Sequence, residues 1–119
     1  KDKGGIEGVT YPILADTTRI LAESLDILDY NGWDSKDGDN VTYRATYLID
    51  EEGIVFHESV NHMSLGRDIN EYLRLIDAYT HVQNVGEVCP ANWKNGAQAI
   101  KADIDSLSDY LKNIRLYLG

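Results

Sequence analysis

The chain has 119 residues, with 11 Lys and Arg against 20 Asp and Glu, a formal charge of −9. That is one domain at most, and the acid excess works against a phosphate backbone or an anionic lipid surface, so nucleic-acid and membrane partners are excluded as expectations. No apolar run approaches the roughly 20 residues that span a bilayer, and the single cysteine excludes both an internal disulfide framework and a zinc site built on several thiols.

Residues 1–9 read as loop, followed by a short strand over 10–16 with Pro12 near its start or at a sheet edge. Asp16, Thr17 and Thr18 offer capping oxygens. Ile20, Leu21, Leu25 and Leu28 then recur at helical spacing, predicting a helix that ends near Asp29. Residues 29–40 are a polar loop with four aspartates, but the spacing fails for calcium: with Gly38 at the turn position, the first ligand falls on Trp33 and the last on Arg44. Residues 41–50 predict a strand, residues 50–53 a turn and residues 54–61 the return strand of a hairpin.

Asp68 followed by Glu71 resembles a capping box. Ile69, Tyr72, Leu73, Ile76, Tyr79 and Val82 continue as a helix face, and Gly86 is the expected stop. Residues 86–98 form an irregular arm. Ile100, Ile104, Leu107, Leu111, Ile114 and Leu118 then step by 4, 3, 4, 3 and 4, predicting an amphipathic helix whose stripe is buried on the domain or on a partner chain. The order β-α-β-β-α, arm, helix is an α/β unit with few strands for its helices. Further strands are expected from sequence that precedes it in a longer polypeptide.

Three residues stand out for chemistry. Cys89 reads either as a small buried apolar residue or as a reactive thiol; it follows a helix stop, and Pro90 keeps it out of a helix interior. No neighbouring cation activates it, and Glu87 works against ionisation. Arg44 lies within a strand and Arg67 just before a helix cap; each reads either as a solvated charge or as a partner for an anion or thiolate. His57, His62 and His81 show no ligand spacing, and no metal or cofactor is expected.

The segment Gly86-Glu87-Val88-Cys89-Pro90-Ala91-Asn92-Trp93-Lys94 resembles the resolving-cysteine segment of two-cysteine peroxiredoxins, including alkyl hydroperoxide reductase C subunits. Tyr11-Pro12-Ile13-Leu14-Ala15-Asp16, Tyr43-Arg44-Ala45-Thr46-Tyr47-Leu48-Ile49-Asp50, Ser59-Val60-Asn61, Leu65-Gly66-Arg67 and Leu73-Arg74-Leu75-Ile76-Asp77-Ala78 resemble further family segments in family order. The resemblance implies an α/β, thioredoxin-like fold, of which this chain lacks the N-terminal βαβ part and the peroxidatic segment. It implies a domain portion over residues 1–85 and a C-terminal arm with the terminal helix over 86–119.

By the same resemblance, Cys89 is the resolving cysteine, and Arg44 and Arg67 belong to the arginine network at the peroxidatic sulfur. The implied activity is reduction of hydroperoxides through an intersubunit disulfide, with thioredoxin or a flavoprotein disulfide reductase restoring the thiols. The implied assembly is a homodimer that extends to a decameric ring. A cytoplasmic location is expected from the lone thiol, which fits a reducing compartment, and from the lack of any address in the sequence. The alternative is a non-catalytic fragment, a structural or chaperone-like subunit without a peroxidatic cysteine. Gly4-Gly5-Ile6-Glu7 and Tyr110-Leu111 stand in altered form where peroxide-sensitive members carry Gly-Gly-Leu-Gly and Tyr-Phe.

Overall fold

A computed structural model describes residues 5–30 and 41–118, with side chains as far as Ile114. From residue 31 onward, the aspartate-rich loop lies outside the described residues, as does Gly4 of the Gly-Gly element. The chain falls into two units, Lys1–Tyr43 and Arg44–Gly119.

In the first unit, helix α1 covers only Ile20–Ser24, not the run to Asp29 that its apolar spacing suggests. Asp16 starts it as expected: its two carboxylate oxygens accept from the N–H groups of Leu21 (3.2 Å) and Ala22 (2.9 Å). The helix stops early because Asp26 adopts a left-handed conformation, φ 53°. The Asp26 N–H then bonds to the Glu23 carbonyl and the Ile27 N–H to the Ala22 carbonyl, which satisfies the helix end. Leu28 therefore belongs to a strand. Strand β1, Leu28–Asp29, pairs antiparallel with β2, Val41–Thr42. Among the described residues of this unit, Ala22, Ile27 and Leu28 are the buried apolar ones. Among the described residues, 10–16 join no ladder, and Leu14 is 88% exposed; a strand needs a neighbouring edge, and none is offered there.

The strand expected over 41–50 is cut at Tyr43 because its two parts take different partners. Strand β3, Arg44–Ile49, pairs antiparallel with β4, Val55–Asn61, from Arg44 opposite Asn61 to Leu48 opposite His57. A bulge then sets Ile49 opposite Val55. Asp50 organises the turn: one carboxylate oxygen accepts from the N–H of Glu52 (3.0 Å) and of Ile54 (2.8 Å). Gly53 supplies the positive φ, 84°, that closes it.

Helix α2, Ile69–Val85, begins at Asp68, whose side chain accepts from the Asn70 N–H at 3.0 Å. Only half of the capping box forms as expected, since the Glu71 carboxylate turns forward to Arg74 (2.6 and 2.8 Å). Gly86 ends α2 in the left-handed region, φ 75°. The helix packs on the hairpin through a parallel stack of Phe56 and Tyr79, centroids 3.9 Å apart, and through Tyr72 bonded to Ser59 (3.1 Å).

The arm after Gly86 is a closed loop. Val88 and Ile100 exchange both backbone bonds across an antiparallel bridge, 2.8 and 3.1 Å. Ile100 is buried there, so it is not the first residue of the terminal helix stripe. Helix α3, Ile104–Leu118, starts beyond it, with Asp103 accepting from the Ser106 N–H at 2.7 Å. Its Ile104, Leu107 and Leu111 are exposed, so the domain does not bury this part of the stripe. Among the described residues, no helix is long and apolar enough to cross a membrane.

Candidate functional site

Arg44 and Arg67 are each anchored near the open end of the hairpin. Arg44 is the first residue of β3, and its Nε donates to the Met63 carbonyl at 2.7 Å. Arg67 reaches back from the entry of α2: its Nε donates to Thr46 Oγ1 (2.9 Å) and its Nη2 to the Ala45 carbonyl (2.8 Å). Asn61 holds the connecting segment by donating to the Gly66 carbonyl at 3.1 Å. Both residues are exposed, yet both guanidinium groups are anchored to backbone or to a strand side chain. Hydrogen bonding to Ser59 and then Thr46, helped by the Arg67 charge, holds the Tyr72 phenol below its usual range. The result is a cationic, hydrogen-bonding surface suited to an anion or thiolate.

Cys89 lies elsewhere in the same unit. Its half-buried thiol donates to the Ala78 carbonyl at 3.7 Å. Ala78 is ten residues past the cap at Asp68, about 15 Å along the helix at the usual rise. Within this chain the cysteine and the two arginines thus mark two places. Burial pushes the Cys89 thiol up, with Glu87 adding to the effect and Arg74 opposing it. The thiol is therefore held protonated near neutral pH and is a poor nucleophile toward an unactivated partner. An already oxidised sulfur is a better match for it.

The arm around Cys89 is built on Trp93, 3% exposed. Its indole Nε1 donates to the Ala97 carbonyl (3.0 Å) and its N–H to the Pro90 carbonyl (3.0 Å). The His81 ring lies 5.1 Å away on α2, and His81 Nε2 is 3.3 Å from the Glu87 carboxylate. Arg74, which the sequence alone did not single out, donates from Nη1 to the Trp93 carbonyl at 3.0 Å. In sequence, an arginine three residues after a glutamate reads only as a surface pair. Among the described residues, no cluster of three His, Cys, Asp or Glu side chains is placed to hold a metal.

Fold and thiol together define a mixed α/β, thioredoxin-like protein with its cysteine on an arm outside the sheet. The C-terminal domain of 1-Cys peroxiredoxin matches residues 78–113. The alkyl hydroperoxide reductase C of Helicobacter pylori is 37% identical over 111 residues, 93% of this chain and 52% of the relative. The thioredoxin peroxidase of Trypanosoma brucei rhodesiense is 36% identical over 114 residues, 96% of this chain and 54% of the relative. The crystal structure of reduced Plasmodium vivax 2-Cys peroxiredoxin superposes with a TM-score of 0.73 at 37% identity, covering 83% of this chain and 47% of that one.

The chain belongs to the peroxiredoxin family and corresponds to the C-terminal half of its relatives. It spans about half the length of the curated relatives it matches. Relatives with one and with two catalytic cysteines are both among its matches, so family membership does not by itself assign the role of Cys89.

Proposed function

We propose that this chain is the resolving half of a thiol peroxidase that reduces hydrogen peroxide and organic hydroperoxides. In this reading residues 1–85 belong to the thioredoxin-like domain and residues 86–119 form its arm, with Cys89 as the resolving cysteine. The Cys89 thiol gives up its proton as its sulfur attacks a sulfenic acid on a partner subunit. The new S–S bond forms as the S–O bond breaks, and the departing hydroxide takes up that proton and leaves as water. A thioredoxin or a flavoprotein disulfide reductase then supplies two electrons and restores both thiols. Arg44 and Arg67 hold the cationic surface against which the peroxidatic thiolate and the peroxide sit. The assembly is a homodimer that can close into a decamer.

The observation that carries this reading is the setting of Cys89. It is a half-buried, unactivated thiol on an arm outside the hairpin closed by one backbone bridge, in a family that does sulfur exchange. The experiment is stoichiometric peroxide on the protein that carries both halves, followed on a non-reducing gel. A reducible dimer forms, and Cys89→Ser abolishes it; a dimer that persists in the variant removes Cys89 from the resolving role.

A second reading starts from the exposed apolar stripe of α3, Ile104, Leu107 and Leu111, a surface suited to association. On that reading the polypeptide is a structural or chaperone-like subunit that keeps the fold without the cycle. The intact mass of the purified natural protein separates the two. A mass near that of this chain supports the structural subunit, and one near twice that supports the peroxidase.

A further inference from the structure

The arm that carries Cys89 is held to α2 by few contacts: His81 meets Trp93 and Glu87, Cys89 bonds to Ala78, and Arg74 makes a charge-assisted bond to the Trp93 backbone. Arg74 sits in the first half of α2, half-buried, with its fork divided between two tasks. Nε and Nη2 grip the Glu71 carboxylate at 2.6 and 2.8 Å, one turn back on the same helix. Nη1 reaches across to the Trp93 carbonyl on the arm at 3.0 Å. Glu71 thus holds the guanidinium still, and the guanidinium holds the arm. A bidentate pair fixes the plane of the fork, so the third donor is aimed before the arm arrives. Four residues further along the helix, the Ala78 carbonyl receives the Cys89 thiol.

We propose that Arg74 is the positioning residue of the Cys89 arm. Through the Trp93 carbonyl it latches the loop onto α2 with the thiol against Ala78, and its release governs how often that thiol is presented. The proposal rests on the peroxidase reading for its purpose, since presentation of the thiol would limit disulfide formation. The latch itself is a property of this chain and does not depend on peroxide.

Arg74 could act on the sulfur in two ways, and they differ in sign. As a nearby cation alone it favours the thiolate, so its removal would slow alkylation. As a latch it keeps the thiol buried, and burial is the larger influence on Cys89, acting against ionisation. Losing the latch exposes the sulfur and lowers its titration midpoint toward that of a free thiol, near 8.5 in model peptides.

The test is alkylation of Cys89 by iodoacetamide across pH 6 to 10. The label is read on the Cys89 peptide by mass spectrometry, in the protein that carries both halves, so a thiol elsewhere in it does not enter the rate. Arg74→Gln should raise the rate at neutral pH about three- to tenfold, the factor expected for loss of one charge-assisted hydrogen bond partly shared with water, and should move the midpoint down. Arg74→Lys keeps the charge without the fork and should fall between the two. Glu71→Gln leaves Arg74 in place but loosens its hold, and should raise the rate about twofold. A rate that is unchanged or slower in Arg74→Gln, or a midpoint that moves up, overturns the proposal. If Arg74→Gln loses its helical circular dichroism, Glu71→Gln decides alone, and an unchanged rate there is equally fatal. If the latch is found but peroxide yields no Cys89 disulfide, the peroxidase reading fails and the latch stands. The reverse result leaves Cys89 as the resolving thiol and removes Arg74 from its control.

Discussion

The arginine end of the hairpin and the cysteine arm are anchored by opposite means. Arg44 and Arg67 hang on a continuous two-stranded ladder and bond to its backbone and to the segment that closes it. Their backbone positions shift only if the segments around the hairpin shift. Cys89 stands on a loop held by the Trp93 indole, the Arg74 guanidinium, the His81 ring and a single pair of bridged residues. Low contact density and short pairing mark a segment that opens before the rest. On the proposed reading, a peroxidatic sulfur needs a fixed electrostatic surface and a resolving sulfur needs reach, and the two regions divide along that line.

The largest expected effect comes from removing the indole. Trp93→Ala deletes the most buried side chain of the arm, a loss of about 3–5 kcal/mol where a tryptophan is well packed. Cys89 should then alkylate at the rate of a free peptide thiol, while hydrogen exchange of the β3–β4 amides stays unchanged. If those amides lose protection as well, the two regions are one cooperative unit and the contrast fails.

A smaller effect, on chemistry only, is expected at the other region. In the protein carrying both halves, Arg44→Ala should lower the rate constant with peroxide about 10²- to 10³-fold, as for loss of one preorganised donor at a reacting centre. The iodoacetamide rate of Cys89 should not move. An unchanged peroxide rate constant would take Arg44 out of the site.

The smallest effect is a pH dependence at the hairpin turn. The Asp50 carboxyl is held below its usual range, first by the Tyr79 hydroxyl at 2.7 Å and then by backbone N–H groups led by that of Ile54. A carboxylate with a depressed pKa adds stability that is fully present above its unfolded value, about 3.9. That stability is lost as pH falls through the lower folded value. The thermal midpoint should therefore drop between pH 5 and pH 2, and Asp50→Asn should flatten the drop. An identical slope in the variant would show that Asp50 does not link the turn to α2.

Features specified locally were legible in the sequence. The hairpin followed from alternation and the Asp50–Gly53 turn, and α2 from Asp68 at one end and Gly86 at the other. The resemblance carried by the Cys89 segment pointed to the family, and the comparisons agree. Features that depend on distant partners were not legible. Leu28 fits a helix stripe by spacing but pairs with Thr42, and the left-handed Asp26 has no sequence signal stronger than a polar residue after leucine. Ile100 is in phase with the terminal helix but is taken by Val88. Arg74 was hidden for the same reason, because its partner on the arm lies 19 positions away.

The bridge between Val88 and Ile100 also decides where this polypeptide tolerates added length. A loop whose two feet are bonded to each other transmits little of what happens at its tip. The tip here is Lys94, Asn95 and Gly96, all exposed, with Gly96 at φ 86°. Doubling a flexible loop costs only about 0.6 kcal/mol in closure entropy, so a peptide tag spliced in at Asn95 would leave the bonded feet at Val88 and Ile100 where they are while lengthening the turn that joins Trp93 to Ala97. That position gives a handle for attaching a reporter to the arm without touching the sulfur it carries.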